Sequence, residues 1–145
     1  MNFTVQDLDK NDIRLGDIIS QNDVTLINYW GTFCGPCIHE MPDLAELEKK
    51  YKDQGFEIIG VTCDIANPDG SLDDDAIADA KSILADTGVE YPVVIASNEL
   101  NKYINSDVVP VSFFVDENGN RLSDVIIGGQ DKDTWEDIIS TFYEE

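Results

Sequence analysis

Positive charge is scarce in this sequence. Nine Lys and Arg stand against 30 Asp and Glu, a formal net charge of −21. Nucleic acids and anionic membrane surfaces are bound through positive charge, so the composition argues against both partners. The acid is scattered rather than blocked, the pattern of a solvated surface; its functional counterpart would be selection of electropositive partners. Long apolar runs are also missing. Nothing approaches the roughly 20 residues of a membrane span, so no transmembrane segment is expected. The first residues, Met1 to Asp7, have no basic region and no apolar stretch, so no signal peptide is expected there. A cytoplasmic protein and one whose export segment lies outside this chain both fit. Histidine occurs once, at His39, and cysteine three times. Three cysteines are too few for a disulfide scaffold, and the odd count leaves one unpaired. A zinc site built on a C-x-x-C pair needs two more soft ligands at suitable spacing; only Cys63 and His39 are available and no second C-x-x-C exists, so no metal or cofactor is expected. The 145 residues show no repeats, and 42% are hydrophobic. They predict one domain, 1–145, large enough for a real core.

What is present is organised around one stretch, Asn28-Tyr29-Trp30-Gly31-Thr32-Phe33-Cys34-Gly35-Pro36-Cys37. Val24 to Trp30 is a continuous apolar run, typical of a strand buried on both faces. Behind the cysteines a helix is predicted to about Lys52, with a stripe of Met41, Leu44, Ala45, Leu47 and Tyr51. Pro42 removes one of its hydrogen bonds and predicts a kink. Upstream, Phe3–Leu8 and Ile13–Leu15 read as short strands around a turn. Downstream, Phe56–Cys63 reads as a second buried strand and 64–70 as a loop. Ser71 is the expected N-cap of a helix with Ile77, Ala80 and Leu84 inward, ending near Gly88. Tyr91–Ala96 reads as a strand, Asn98–Tyr103 as a short helix and Val111–Val115 as a strand. Asn118-Gly119 signals a hairpin returning through Leu122–Ile127. A last helix places Trp135, Ile138, Ile139 and Phe142 on one face. The early alternation predicts parallel strands and the late hairpin an antiparallel edge. The fold class is α/β, a central mixed sheet flanked by helices.

A strand–helix junction lies at the strand's carboxyl end, where open α/β sheets place their sites. Cys34 falls at the helix start, where free N–H groups and the helix dipole favour a thiolate. Cys37 lies on the same face one turn deeper. That asymmetry divides the labour. Cys34 attacks a substrate disulfide, and Cys37 resolves the mixed disulfide by attacking the Cys34 sulfur. Pro36 occupies the first turn, where proline costs no hydrogen bond. A purely structural disulfide closing so small a loop would gain little loop entropy.

These residues carry a family resemblance. Trp30 to Cys37 resembles the thioredoxin-fold active site. The continuation Glu40-Met41-Pro42 is similar to the TlpA/ResA-like branch of thiol–disulfide oxidoreductases. Val109-Pro110, followed by Phe113 to Gly119, resembles that branch's cis-proline strand and hairpin. The helix after Ser71 matches its inserted helix. The resemblance implies a thioredoxin-like fold with an N-terminal β extension. It implies reduction or exchange of disulfides in client proteins through a redox-active Cys34–Cys37 disulfide, with no cofactor. The implied partners are disulfide-containing or dithiol clients and an upstream electron-donor thiol protein. The implied setting is extracytoplasmic and the implied state monomeric. Glu40 would modulate the thiols. Cis-Pro110 would present the Val109 backbone to an extended client segment. Trp30 and Phe33, with Gly35 and Pro36, would form an apolar rim around Cys34. Phe33 departs from the tryptophan usual there, and Asn28 stands where thioredoxin has a buried aspartate. Cys63, near the end of the neighbouring strand, reads as inert core unless a rearrangement brings it to Cys37. His39 reads as surface, and Met41 and Trp135 as packing. A thiol peroxidase would want T-x-x-C and a copper-delivery module C-x-x-x-C with a distant histidine; the chain has neither.

Overall fold

A computed structural model describes residues 1–143. Its centre is β3 (Val24–Trp30), every residue of which is buried. Along it Leu26 and Trp30 point to one side of the sheet and Ile27 and Tyr29 to the other, the alternation that a strand imposes. On one side β3 pairs in parallel with β4 (Phe56–Thr62), from Val24↔Phe56 to Trp30↔Thr62. On the other it pairs antiparallel with β6 (Val111–Val115). The remaining strands are β1 (Thr4–Asp7), β2 (Asp12–Arg14), β5 (Val93–Ile95) and β7 (Ile126–Ile127). The sheet order is β2-β1-β5-β4-β3-β6-β7. Because β6 runs against β3, its first residues arrive where β3 ends, and this brings 109–110 to the cysteines.

Helices cover both faces. On one, α2 (Gly35–Tyr51), α3 (Asp74–Thr87) and α5 (Lys132–Ser140) pack Met41, Leu44, Ile77, Trp135 and Ile139 against Leu26, Trp30, Phe56 and Phe114. On the other, α1 (Leu15–Ile19) and α4 (Asn98–Ile104) pack Leu15, Ile19, Leu100 and Ile104 against Ile27, Tyr29, Val61 and Phe113. Helix α2 runs unbroken through Pro42, whose ring is exposed. Among the described residues no helix is long and apolar enough to cross a membrane.

Three local expectations are corrected. Leu15 opens α1 instead of ending a strand; Leu15 and Ile19, four apart, bury one side of it. The cap of α3 is Asp73, whose carboxylate accepts the Ala76 N–H at 3.1 Å. Ser71 stays in the preceding loop, its hydroxyl donating to Asp69 at 2.6 Å. The strand after the hairpin is shorter than 122–127. Ser123 Oγ accepts the Phe114 N–H at 3.2 Å, a side chain replacing a ladder bond, and regular pairing resumes only at Ile126.

Candidate active site

Cys34 is the N-cap of α2, with extended backbone, and its Sγ accepts the Cys37 N–H at 3.2 Å. The two cysteines form a disulfide with Cα atoms 5.3 Å apart. Cys34 keeps 6% of its surface exposed and Cys37 none, so one sulfur is approachable and the other lies behind it. Gly35 and Pro36 stand outside them. Opposite, the Val109–Pro110 peptide bond is cis, and the Val109 carbonyl oxygen lies 3.7 Å from Cys34 Sγ.

Phe33 is 71% exposed beside Cys34. Its ring lies over Gly31, where a Cβ would come within 2.5 Å of a ring carbon. Trp30 does not join it at the rim. At 1% exposure its ring is packed into the core beneath the cysteines, because β3 directs it to the face covered by α2. The loop between them is held from just past the end of β4: the half-buried Asp64 carboxylate accepts the Thr32 N–H at 3.2 Å and the Thr32 hydroxyl.

One turn past Cys37, Glu40 is 1% exposed. Its Oε1 accepts Asn28 Nδ2 at 3.1 Å. Its Oε2 accepts the Gln130 N–H and the Trp135 indole N–H, each at 3.1 Å. Burial holds its carboxyl above the ordinary range, opposed by these three bonds and reinforced by nearby Asp43. A cleft of about 420 Å³, lined by Pro36, His39, Glu40, Asp43, Gly129, Gln130 and Asp131, opens beside it.

Cys63 packs on the opposite face of the sheet from the pair. Burial, and the neighbouring Asp64 charge, push its thiol up to about 11. His39 is exposed. Among the described residues no group of three or more His, Cys, Asp or Glu is placed to hold a metal.

The fold therefore gathers Phe33, Cys34, Gly35, Pro36, Cys37, Val109 and Pro110 at one end of β3, with Glu40 behind. Sequence reading missed Asp64 and Gln130 and took Trp135 for packing alone. Gln130 acts through its backbone, which leaves no signature in a sequence. An acid directly after a buried strand was the one available sign of Asp64.

The AhpC/TSA family model matches residues 1–120. Thiol-disulfide oxidoreductase ResA of Bacillus anthracis is 36% identical over 138 residues, 93% of this chain and 71% of that protein. ResA of Geobacillus kaustophilus is 33% identical over 133 residues, 90% of this chain and 68% of that protein. This chain belongs to the AhpC/TSA family and is a ResA-like thiol–disulfide oxidoreductase. Among solved structures, a thiol:disulfide interchange protein of Chlorobium tepidum superposes with a TM-score of 0.75 at 26% identity, covering 96% of this chain and 91% of that one. StoA of Bacillus subtilis, at 18% identity and TM-score 0.68, covers 93% of each chain and shares the thioredoxin-like fold. In this oxidoreductase the mixed seven-stranded sheet carries the β1–β2 extension at one edge.

Proposed function

We propose that the protein reduces disulfides in partner proteins, with Cys34 as attacking and Cys37 as resolving thiol. The observation that carries this reading is the Cys34 sulfur at the N-cap of α2, accepting the Cys37 N–H while facing the Val109 carbonyl. In the reduced protein the same N–H and the helix dipole would favour a Cys34 thiolate. That thiolate attacks one client sulfur, forms a Cys34–client disulfide and releases the other client sulfur as a thiolate. Cys37 then gives up its proton and attacks Cys34 Sγ. The Cys34–Cys37 disulfide forms and the second client thiolate leaves, so two electrons have passed to the client. Glu40, buried on the same helix one turn away, is the base for the Cys37 proton. An extended client segment aligns along 109–110, with Phe33, Gly35 and Pro36 as the rim. An upstream thiol protein of the cell envelope returns the two electrons. The kinship with ResA supports that setting and the extracytoplasmic location it implies.

The reading is tested with Cys37→Ser. Mixed with a disulfide client, this variant should accumulate a Cys34-linked adduct on a non-reducing gel that dithiothreitol removes. Absence of the adduct, or hydroperoxide consumption by the wild type as fast as its disulfide reduction, would overturn it.

A further inference from the structure

Glu40 sits in a cradle whose two sides differ in chemistry. At Oε2 the partners are the Trp135 indole and the Gln130 backbone N–H, both at 3.1 Å. Both groups donate and cannot accept. A proton on Oε2 would therefore point at two donors and find no acceptor. At Oε1 the partner is the Asn28 amide, which carries a donor at one end and an acceptor at the other. Its Nδ2 gives hydrogen bonds to Oε1 at 3.1 Å and to Ser112 Oγ at 2.9 Å. Its Oδ1 is buried and has no hydrogen-bond partner among the described residues.

From this geometry we infer that Trp135 is a positioning residue of the reaction: with the Gln130 N–H it reserves Oε2 of Glu40 as an acceptor, so that Glu40 exchanges its proton at Oε1, against the Asn28 amide. The inference rests on the reading of Glu40 as the base for Cys37. When Oε1 is ionised, Nδ2 of Asn28 donates to it and to Ser112. When Oε1 is protonated, a half-turn of the amide lets Oδ1 accept from Oε1 and from the Ser112 hydroxyl, which can reverse its own proton. Both arrangements hold two amide bonds and leave one amide end over, so the exchange costs no hydrogen bond. Asn28 and Ser112 follow the proton, while Trp135 and Gln130 keep the carboxyl still.

Other titratable groups surround this one. His39 and Asp43 lie on α2, and Asp131, the α5 N-cap, lines the same cleft. The Tyr91 phenol feels the Glu40 and Glu48 charges from the sheet side, and Cys37 lies on α2 one turn back. None of them donates a hydrogen bond to Glu40. Trp135 is fully buried, its ring edge-on to Phe114, so a phenyl ring can occupy most of its place.

Trp135→Phe keeps an aromatic ring and deletes the donor. The Glu40 carboxyl, followed by carbon-13 NMR, should titrate about one pH unit higher in this variant, tenfold in the proton equilibrium. The pH dependence of client reduction should move in the same direction. In the unaltered protein the Trp135 indole N–H resonance should shift with the Glu40 midpoint, and the response should vanish in Glu40→Gln. That second measurement stands even if Trp135→Phe does not fold. A carboxyl midpoint within about 0.2 unit of wild type in Trp135→Phe, or an indole resonance indifferent to Glu40, would overturn the assignment. A Glu40→Gln protein with the wild-type pH–rate profile would overturn the underlying role of Glu40 as base, whatever the carboxyl titration does in Trp135→Phe.

Discussion

The sulfur of Cys34 and the carbonyl oxygen of Val109 lie 3.7 Å apart, although 75 residues separate them in the chain. Cys34 keeps a small exposed surface next to this carbonyl, while Cys37 is closed off behind it. Cys34→Ser should therefore abolish reduction of a model protein disulfide. Turnover at the wild-type rate would show that Cys37 or Cys63 is the attacking thiol.

Glu40 gives a signed pH dependence. Its folded carboxyl is held above the ordinary value, mainly by burial. A group raised on folding contributes stability that is complete below its unfolded value and is lost as pH rises through the folded one. Glu40→Gln removes that loss. The variant should thus gain in urea midpoint over wild type as pH rises above the usual glutamate value of about 4.3. Parallel pH–midpoint curves for the two proteins would contradict this.

Asp64 holds the loop that delivers Cys34, through the backbone and hydroxyl of Thr32. Asp64→Ala leaves that N–H without its carboxylate, a loss of about 1.5–3 kcal/mol for a bond to a charged group. Thermal melting should fall by several degrees, and client reduction should slow because the Cys34 sulfur is no longer fixed against Val109. A variant with unchanged kcat/KM would limit Asp64 to a stabilising role.

The N-cap of α3 separates two positions that flank Leu72. Asp73→Ala should cost about 1 kcal/mol in chemical denaturation, the usual loss of an N-cap. Ser71→Ala, in the exposed loop, should change stability by less than about 0.5 kcal/mol. The reverse order would return the cap to Ser71.

Cys63 is the control thiol. With its thiol at about 11, only about one part in ten thousand is thiolate at pH 7. Iodoacetamide should label Cys34 of the reduced protein first and Cys63 at least a hundredfold more slowly. Cys63→Ser should leave the midpoint potential unchanged; a shifted potential would bring Cys63 into the redox chemistry.

The parts of the fold legible in the sequence were those where burial is extreme. Val24–Trp30, buried on both faces, reads as an uninterrupted apolar run, and its ends coincide with β3. The long α2 declares itself by its stripe and by Pro36 in its first turn. Helix α1, only five residues long, is too short to show a period. The end of β3 misled in another way. Trp30, three residues before the exposed Phe33, looks like a rim residue, yet strand alternation turns it inward. Around Glu40 the partners come from positions 28, 130 and 135. One of them is a main-chain N–H and another a tryptophan whose apolar neighbours explain it equally well as packing. No local pattern could have joined them.

The order of pieces along the chain also has a consequence. Both cysteines of the redox pair lie within the first 37 residues, whereas the indole that donates to Glu40 belongs to α5. A chain clipped before residue 130 keeps both cysteines of the pair but lacks the Gln130 and Trp135 donors. On the proposed role of Glu40, the redox state of the pair alone would then say nothing about whether α5 has docked and completed the carboxyl's hydrogen bonds.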